Sequence, residues 1–193
     1  MTTIEFLFDV GSPTTYLAHK RLAGVIERGA TVDYVPVLLG GIFKATGNSS
    51  PAMVPAKGRY MNEDMARFAD RHGIVLNFNP YFPINTITMM RIATGLQGQP
   101  GLMPYVDAVF DAMWASPRNL GDPVVLADAL AAAGLDATAL LTLADDPAVK
   151  DRLKAATEAA VARGVFGAPT FFVGDAMFFG QDRLDWVEDA ALA

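Results

Sequence analysis

Asp9-Val10-Gly11-Ser12-Pro13-Thr14-Thr15-Tyr16-Leu17-Ala18 is a joint between two periodicities. Ahead of it, Thr3-Ile4-Glu5-Phe6-Leu7-Phe8 has the composition of a strand. Behind it, Tyr16, Leu17, Ala18, Leu22, Ala23 and Ile26 recur at helical spacing. Ser12 stands at the cap position of that helix and Pro13 at its first residue, where a missing N–H costs nothing. Unpaired amides and the positive end of the helix dipole therefore face outward at Ser12, and an anion such as a thiolate is favoured there. A plain helix cap explains the same residues, so the local pattern leaves both readings open.

Beyond this helix, which stops near Gly29, residues 31–35 alternate as a strand that Pro36 closes. Strand, helix and strand in close succession make a βαβ unit and hence a parallel pair. Residues 40–55 are rich in Gly, Ser, Asn and Pro and read as a loop. From Lys57 to Gly164 the pattern is nearly all helix. Helices are expected over 57–72 and 85–96, from Pro104, from Asp122-Pro123, over 137–144, and from Asp146-Pro147 to Gly164. An extended piece (74–78) and a loop (79–83) separate the first two. Residues 166–173 then read as a buried strand entered through a proline, Gly174-Asp175 as a hairpin turn and 176–179 as a second strand. A closing helix follows Gly180-Gln181-Asp182. The expected plan is α/β: a thioredoxin-like βαβ…ββα domain from residues 1–40 and 164–193, with residues 41–163 inserted as an all-helical domain.

Composition narrows the function. The chain has 193 residues, 52% of them hydrophobic, enough for one well-cored domain carrying an insertion. No apolar run approaches the roughly 18–20 residues that cross a bilayer, and no basic segment followed by an apolar block opens the chain. A cytoplasmic protein without a membrane partner is expected. Net charge is −6, and the 15 Lys and Arg residues form no dense cluster, so nucleic acid is not an expected partner. The absence of cysteine removes disulfides, thiolate zinc sites, CxxC redox chemistry and any thiol nucleophile of the protein's own. His19 and His72 are not spaced with acids as a metal site, and no metal is expected. No Gly-x-Ser-x-Gly turn or phosphate loop is present.

Four stretches then carry a family pattern. They are Phe8-Asp9-Val10-Gly11-Ser12-Pro13 with Tyr16-Leu17-Ala18; Gly47-Asn48 with Pro51, Pro55, Lys57-Gly58 and Tyr60; Phe166-Gly167-Ala168-Pro169; and Phe179-Gly180-Gln181-Asp182-Arg183-Leu184. In order and spacing the sequence resembles the 2-hydroxychromene-2-carboxylate isomerase family, bacterial relatives of kappa-class glutathione transferases. The resemblance spans almost the whole chain.

It implies glutathione as cofactor, a small aromatic carboxylate or electrophile as second partner, and a homodimer. On this resemblance Ser12 is the catalytic residue, hydrogen-bonding the glutathione thiolate. Lowering a thiol pKa from about 8.5 to about 6.5 takes roughly 2.7 kcal/mol. A helix dipole gives about 0.3–1 kcal/mol, at best near 2. A charge-assisted hydrogen bond adds roughly 1.5–3. The dipole alone falls short, and Ser12 is the only side chain expected to supply the hydroxyl. Ala168 and Pro169 match the family's cis-proline turn, leaving Ala168 free to bind the cysteinyl unit as an added strand edge. By the same resemblance the amides of Gln181 and Asp182 hold the γ-glutamyl carboxylate and the Asp182 side chain its ammonium. Asn48 contacts the glycine end. Lys44, Lys57 and Tyr60 are candidates for second-substrate contacts. Two departures stand out: Thr14 replaces the aromatic residue common after Ser-Pro, and Gln181 sits where Ser or Asn is frequent. Met53 and Val54 also place apolar residues in a loop that tends to be polar in the isomerases.

Three functions are compatible with these residues. The first is a glutathione-dependent cis-trans isomerase converting 2-hydroxychromene-2-carboxylate to trans-o-hydroxybenzylidenepyruvate, or acting on a similar intermediate of aromatic degradation. The second is a kappa-class transferase that conjugates electrophiles. The third is a thiol- or peptide-binding module without chemistry.

Overall fold

The computed structural model describes residues 2–193. β1 (Ile4–Phe8) is an interior strand of a four-stranded sheet of order β2-β1-β3-β4, with β2 (Val32–Pro36), β3 (Thr170–Val173) and β4 (Ala176–Phe179). β1 runs parallel to β2, with Phe6 opposite Tyr34, and antiparallel to β3, with Phe6 opposite Phe171. α1 (Pro13–Glu27) makes the crossover from β1 to β2. β3 and β4 form a hairpin through Gly174, whose φ of 58° suits the turn.

Strand side chains alternate sides, and the alternation in β1 divides the core. Ile4, Phe6 and Phe8 join an apolar cluster with Tyr16 and Leu22 of α1 and Phe171 of β3. That cluster extends to Val187 of the closing helix α9 (Leu184–Leu192) and to Met90, Trp114 and Leu140 from the helical region. Leu7 points the other way, into a smaller cluster with Val37, Ile42, Ala160, Val165 and Phe172. α2 (Leu39–Thr46) and α8 (Pro147–Ala162) cover this second face. The helices between the strands are α3 (Pro55–His72), α4 (Ile87–Leu96), α5 (Leu102–Phe110), α6 (Pro123–Ala132) and α7 (Ala137–Asp145), followed by α8. Asp122 and Asp146 cap α6 and α8, each accepting at 2.8 Å from the amide two residues on.

Two expectations are corrected and a third is extended. Residues 40–55 are not one loop, because Leu39–Thr46 is helical despite Gly40 and Gly41. Tertiary partners outweigh propensity there: Asp9 Oδ2 accepts from the Leu39 N–H at 2.8 Å, and α8 comes so close that a Cβ on Gly41 would lie 3.1 Å from Thr157 Cγ2. The strand expected from residue 166 begins at Thr170, since residues 166–169 form the approach to the sheet and contain a cis Ala168–Pro169 bond. The helix beginning near Pro104 ends in a π-helical turn over Asp111–Ala115, which places Trp114 so that its Nε1 donates to the Val10 carbonyl at 2.8 Å.

Candidate active site

Ser12 is the N-cap of α1, and its Oγ accepts from the Thr15 N–H at 3.2 Å. The same oxygen donates its proton to the Ala168 carbonyl at 3.1 Å, joining two segments 156 residues apart. Ser12 is only 5% exposed, so its hydroxyl has little water to compete with a ligand. It is not the only hydroxyl there, contrary to the expectation from sequence: Thr14 Oγ1 lies 3.0 Å from Ser12 Oγ. While the Ser12 proton is on Ala168, Thr14 is the donor of that pair. Two donors on one oxygen polarise its O–H bond and make it a better donor in turn.

The other glutathione-site candidates gather around this contact through short hydrogen-bonded links. The Pro169 carbonyl accepts from the Gly180 N–H at 3.0 Å, which holds the start of the last segment against the cis-proline turn. Gly180 has φ 102°, a conformation side chains disfavour, and a Cβ there would lie 2.6 Å from Asp182 Oδ1. Gln181 and Asp182 open a 3-10 turn, Gln181–Arg183, which precedes α9. Arg21 Nη1 donates to the Gln181 carbonyl at 2.7 Å, and the Asp182 carboxylate pairs with Arg183 at 2.7 Å. Asn48 follows Gly47 (φ 72°), and its Nδ2 donates to the Phe166 carbonyl at 2.8 Å, two residues before Ala168.

The second-substrate candidates are not tied into this set. Lys44 lines a groove of about 440 Å³ between α2 and α8, with Leu38, Lys154, Thr157 and Glu158. Lys57 and Tyr60 lie on the first turns of α3, both exposed, and the Tyr60 ring lies 6.0 Å from the Arg67 guanidinium carbon. Met53 and Val54, just before α3, are exposed as well.

Sequence reasoning passed over Asp9. Its carboxylate is 1% exposed and accepts from the Gly11 N–H at 2.9 Å, the Leu39 N–H at 2.8 Å and the Thr86 hydroxyl at 3.2 Å. Burial raises its pKa above the ordinary carboxylate range, against the lowering effect of those three donors. The available signal was an acid set between Phe8 and Val10 in a run otherwise read as core. His19 belongs to the core: Nδ1 meets the Tyr34 hydroxyl at 2.9 Å, Nε2 meets Asp107 at 2.8 Å, and the ring stacks on Phe110. Among the described residues no group of three or more His, Asp or Glu could hold a metal ion, and no helix is long and apolar enough to cross a membrane.

A thioredoxin-type sheet whose first helix is capped by a serine against a cis-proline turn, in a chain without cysteine, defines a thioredoxin-fold protein that has no redox thiol of its own. Consistent with that class, residues 3–191 match the model of the DSBA-like thioredoxin domain. Within that class, the chain belongs to the 2-hydroxychromene-2-carboxylate isomerase family. It is 33% identical to the 2-hydroxychromene-2-carboxylate isomerase of Sphingobium xenophagum over 98% of each chain. A solved structure of a 2-hydroxychromene-2-carboxylate isomerase superposes with a TM-score of 0.86 at 32% identity, covering 97% of this chain and 93% of that one. Human glutathione S-transferase kappa 1 is 28% identical over 95% of this chain and 88% of its own.

Proposed function

We propose that the protein is a glutathione-dependent cis-trans isomerase that interconverts 2-hydroxychromene-2-carboxylate and trans-o-hydroxybenzylidenepyruvate or a close analogue. The observation that carries this reading is the Ser12–Ala168 contact. A cysteine-free chain presents a polarised hydroxyl at a helix N-terminus, beside a strand edge suited to a cysteinyl peptide. The donor set fits the tripeptide. Ser12 and the N-terminus of α1 favour a thiolate, the Gln181 and Asp182 amides lie at a helical opening suited to a carboxylate, and Asn48 is anchored at the other end.

When bound, held by Ser12, Ala168, Pro169, Gln181, Asp182 and Asn48, glutathione would supply a thiolate for reversible addition to the ring-opened conjugated substrate, chemistry that would consume no glutathione. Ser12 turns its proton from the Ala168 carbonyl to the thiolate, with Thr14 and the Thr15 N–H still donating to its oxygen. Ala168 and Pro169 orient the peptide so that the sulfur meets the substrate from one direction. Lys44, Lys57 and Tyr60 remain the proposed second-substrate contacts, Lys44 for its carboxylate. A cytoplasmic homodimer belongs to the same reading, and sedimentation of the purified protein tests the dimer.

The identity to a kappa-class transferase supports one rival, conjugation with release of a thioether. An assay of the purified protein with 2-hydroxychromene-2-carboxylate separates the two. Conversion that needs glutathione yet leaves its concentration constant is expected. Stoichiometric thiol loss would favour conjugation, and no glutathione-dependent turnover would leave a binding module.

A further inference from the structure

We propose that Asp9 is a positioning residue that fixes Ser12 and Asn48, which hold the sulfur and the glycine end of glutathione, relative to one another. The inference rests on the glutathione reading above and adds a residue to it. Its basis is a closed ring of contacts. Asp9 Oδ1 accepts from Gly11 at 2.9 Å, and the Asp9 carbonyl accepts from the Ser12 N–H at 3.1 Å, which together shape the turn presenting Ser12. Asp9 Oδ2 accepts from the Leu39 N–H, the first residue of α2, whose own cap position is held by Leu38 with no side-chain bond to offer. α2 then runs one rigid length to Gly47 and delivers Asn48, which grips the Phe166 carbonyl. Two residues later Ala168 accepts from Ser12 and closes the ring. Thr86, immediately before α4, donates to the same Oδ2 and braces the carboxylate from a third element.

Three donors converge on this group, and among the described residues no cation is one of its partners. A buried charge without a counter-ion costs stability, so packing alone does not account for an acid here. Asparagine would keep the shape, but its NH2 would face an N–H of Leu39 or Gly11, and one of those bonds would break.

The test is a double-mutant cycle on glutathione affinity by calorimetry, using Asp9→Asn, Asn48→Ala and the pair, with ultraviolet titration of the bound thiolate as a second readout. Asp9→Asn is expected to weaken glutathione about tenfold and to raise the bound thiol's pKa. The double variant is expected to lose less than the product of the two single losses, because Asp9 acts in part through Asn48. Additive losses, or an Asp9→Asn protein with wild-type affinity and thiolate, would overturn the role of Asp9. Should Asp9→Asn not fold, Thr86→Val, which removes one donor and keeps the carboxylate, is expected to move both readouts in the same direction by a smaller factor, and no movement would overturn the proposal. If the unsubstituted protein itself bound no glutathione, the cofactor reading would fall first, and this inference with it.

Discussion

Ser12 and Thr14 form a hydroxyl pair in which, on the proposed function, Ser12 serves the ligand and Thr14 serves Ser12. Replacing Ser12 with alanine removes a hydrogen bond to a charged group, worth roughly 1.5–3 kcal/mol, so kcat/KM should fall about 10- to 150-fold in a glutathione-dependent assay. The same change removes the cap of α1 and should cost about 1 kcal/mol of stability, readable by denaturant unfolding. Thr14→Val keeps volume and removes only the neighbouring hydroxyl. A neutral hydrogen bond contributes about 0.5–1.5 kcal/mol, so a drop of about 2- to 12-fold in kcat is expected, with the melting temperature unchanged. Wild-type kcat in Thr14→Val would show that Ser12 acts unaided. Ser12 was legible in sequence because capping is a local act read from neighbours. Thr14 was not, since its value depends on a rotamer that brings two hydroxyls together.

The elements divide along similar lines. Helices that start with Asp-Pro or end at Gly were legible, because cap and stop act within a few residues: Asp122 and Asp146 accept from their own first turns. α2 was hidden because its support comes from Asp9 and from α8. Gly95, in the last turn of α4, shows how close contact between helices decides a residue. A Cβ there would lie 2.5 Å from Leu143 Cγ of α7. Gly to Ala in a helix interior ordinarily gains about 0.5–1 kcal/mol, whereas overpacking a buried contact costs about 1–3. The second effect is the larger, so Gly95→Ala should lower the melting temperature, by about 2–4 °C for each kcal/mol. A rise in melting temperature would mean that α7 gives way freely.

Across the whole molecule, the helical region is bound to the sheet by two apolar clusters, one on each face, and by polar ties at its margin. The most informative tie is Asp107 of α5 with His19 of α1. The His19 hydrogen bond, aided by the charges of His19 and Lys20, holds the Asp107 carboxyl below its usual 3.8 despite partial burial. A depressed acid adds stability that is fully present above the unfolded value and disappears as pH falls through the folded one. Asp9 has the opposite sign: its raised pKa means that protonation relieves a penalty as pH falls. The melting temperature of Asp107→Asn should therefore fall less steeply than that of the parent as pH drops below about 5. Identical slopes would show that the tie does not couple the two elements.

Periodicity and caps act over a few residues, so the amino-acid order alone determined the strands apart from the start of β3, most of the helices, the serine cap and the want of any thiol. It also determined which four stretches carry the family pattern. Tertiary structure decided what those stretches do to one another: that Ser12 meets Ala168, that Asn48 reaches Phe166, that a second hydroxyl joins the first, and that one buried carboxylate braces the turn. For Ser12–Ala168 and Asn48–Phe166 the reason is distance along the chain, since contacts more than a hundred positions apart depend on how the sheet faces and helices pack. The hydroxyl pair and the buried carboxylate depend on rotamers and on neighbouring elements, which no local pattern encodes.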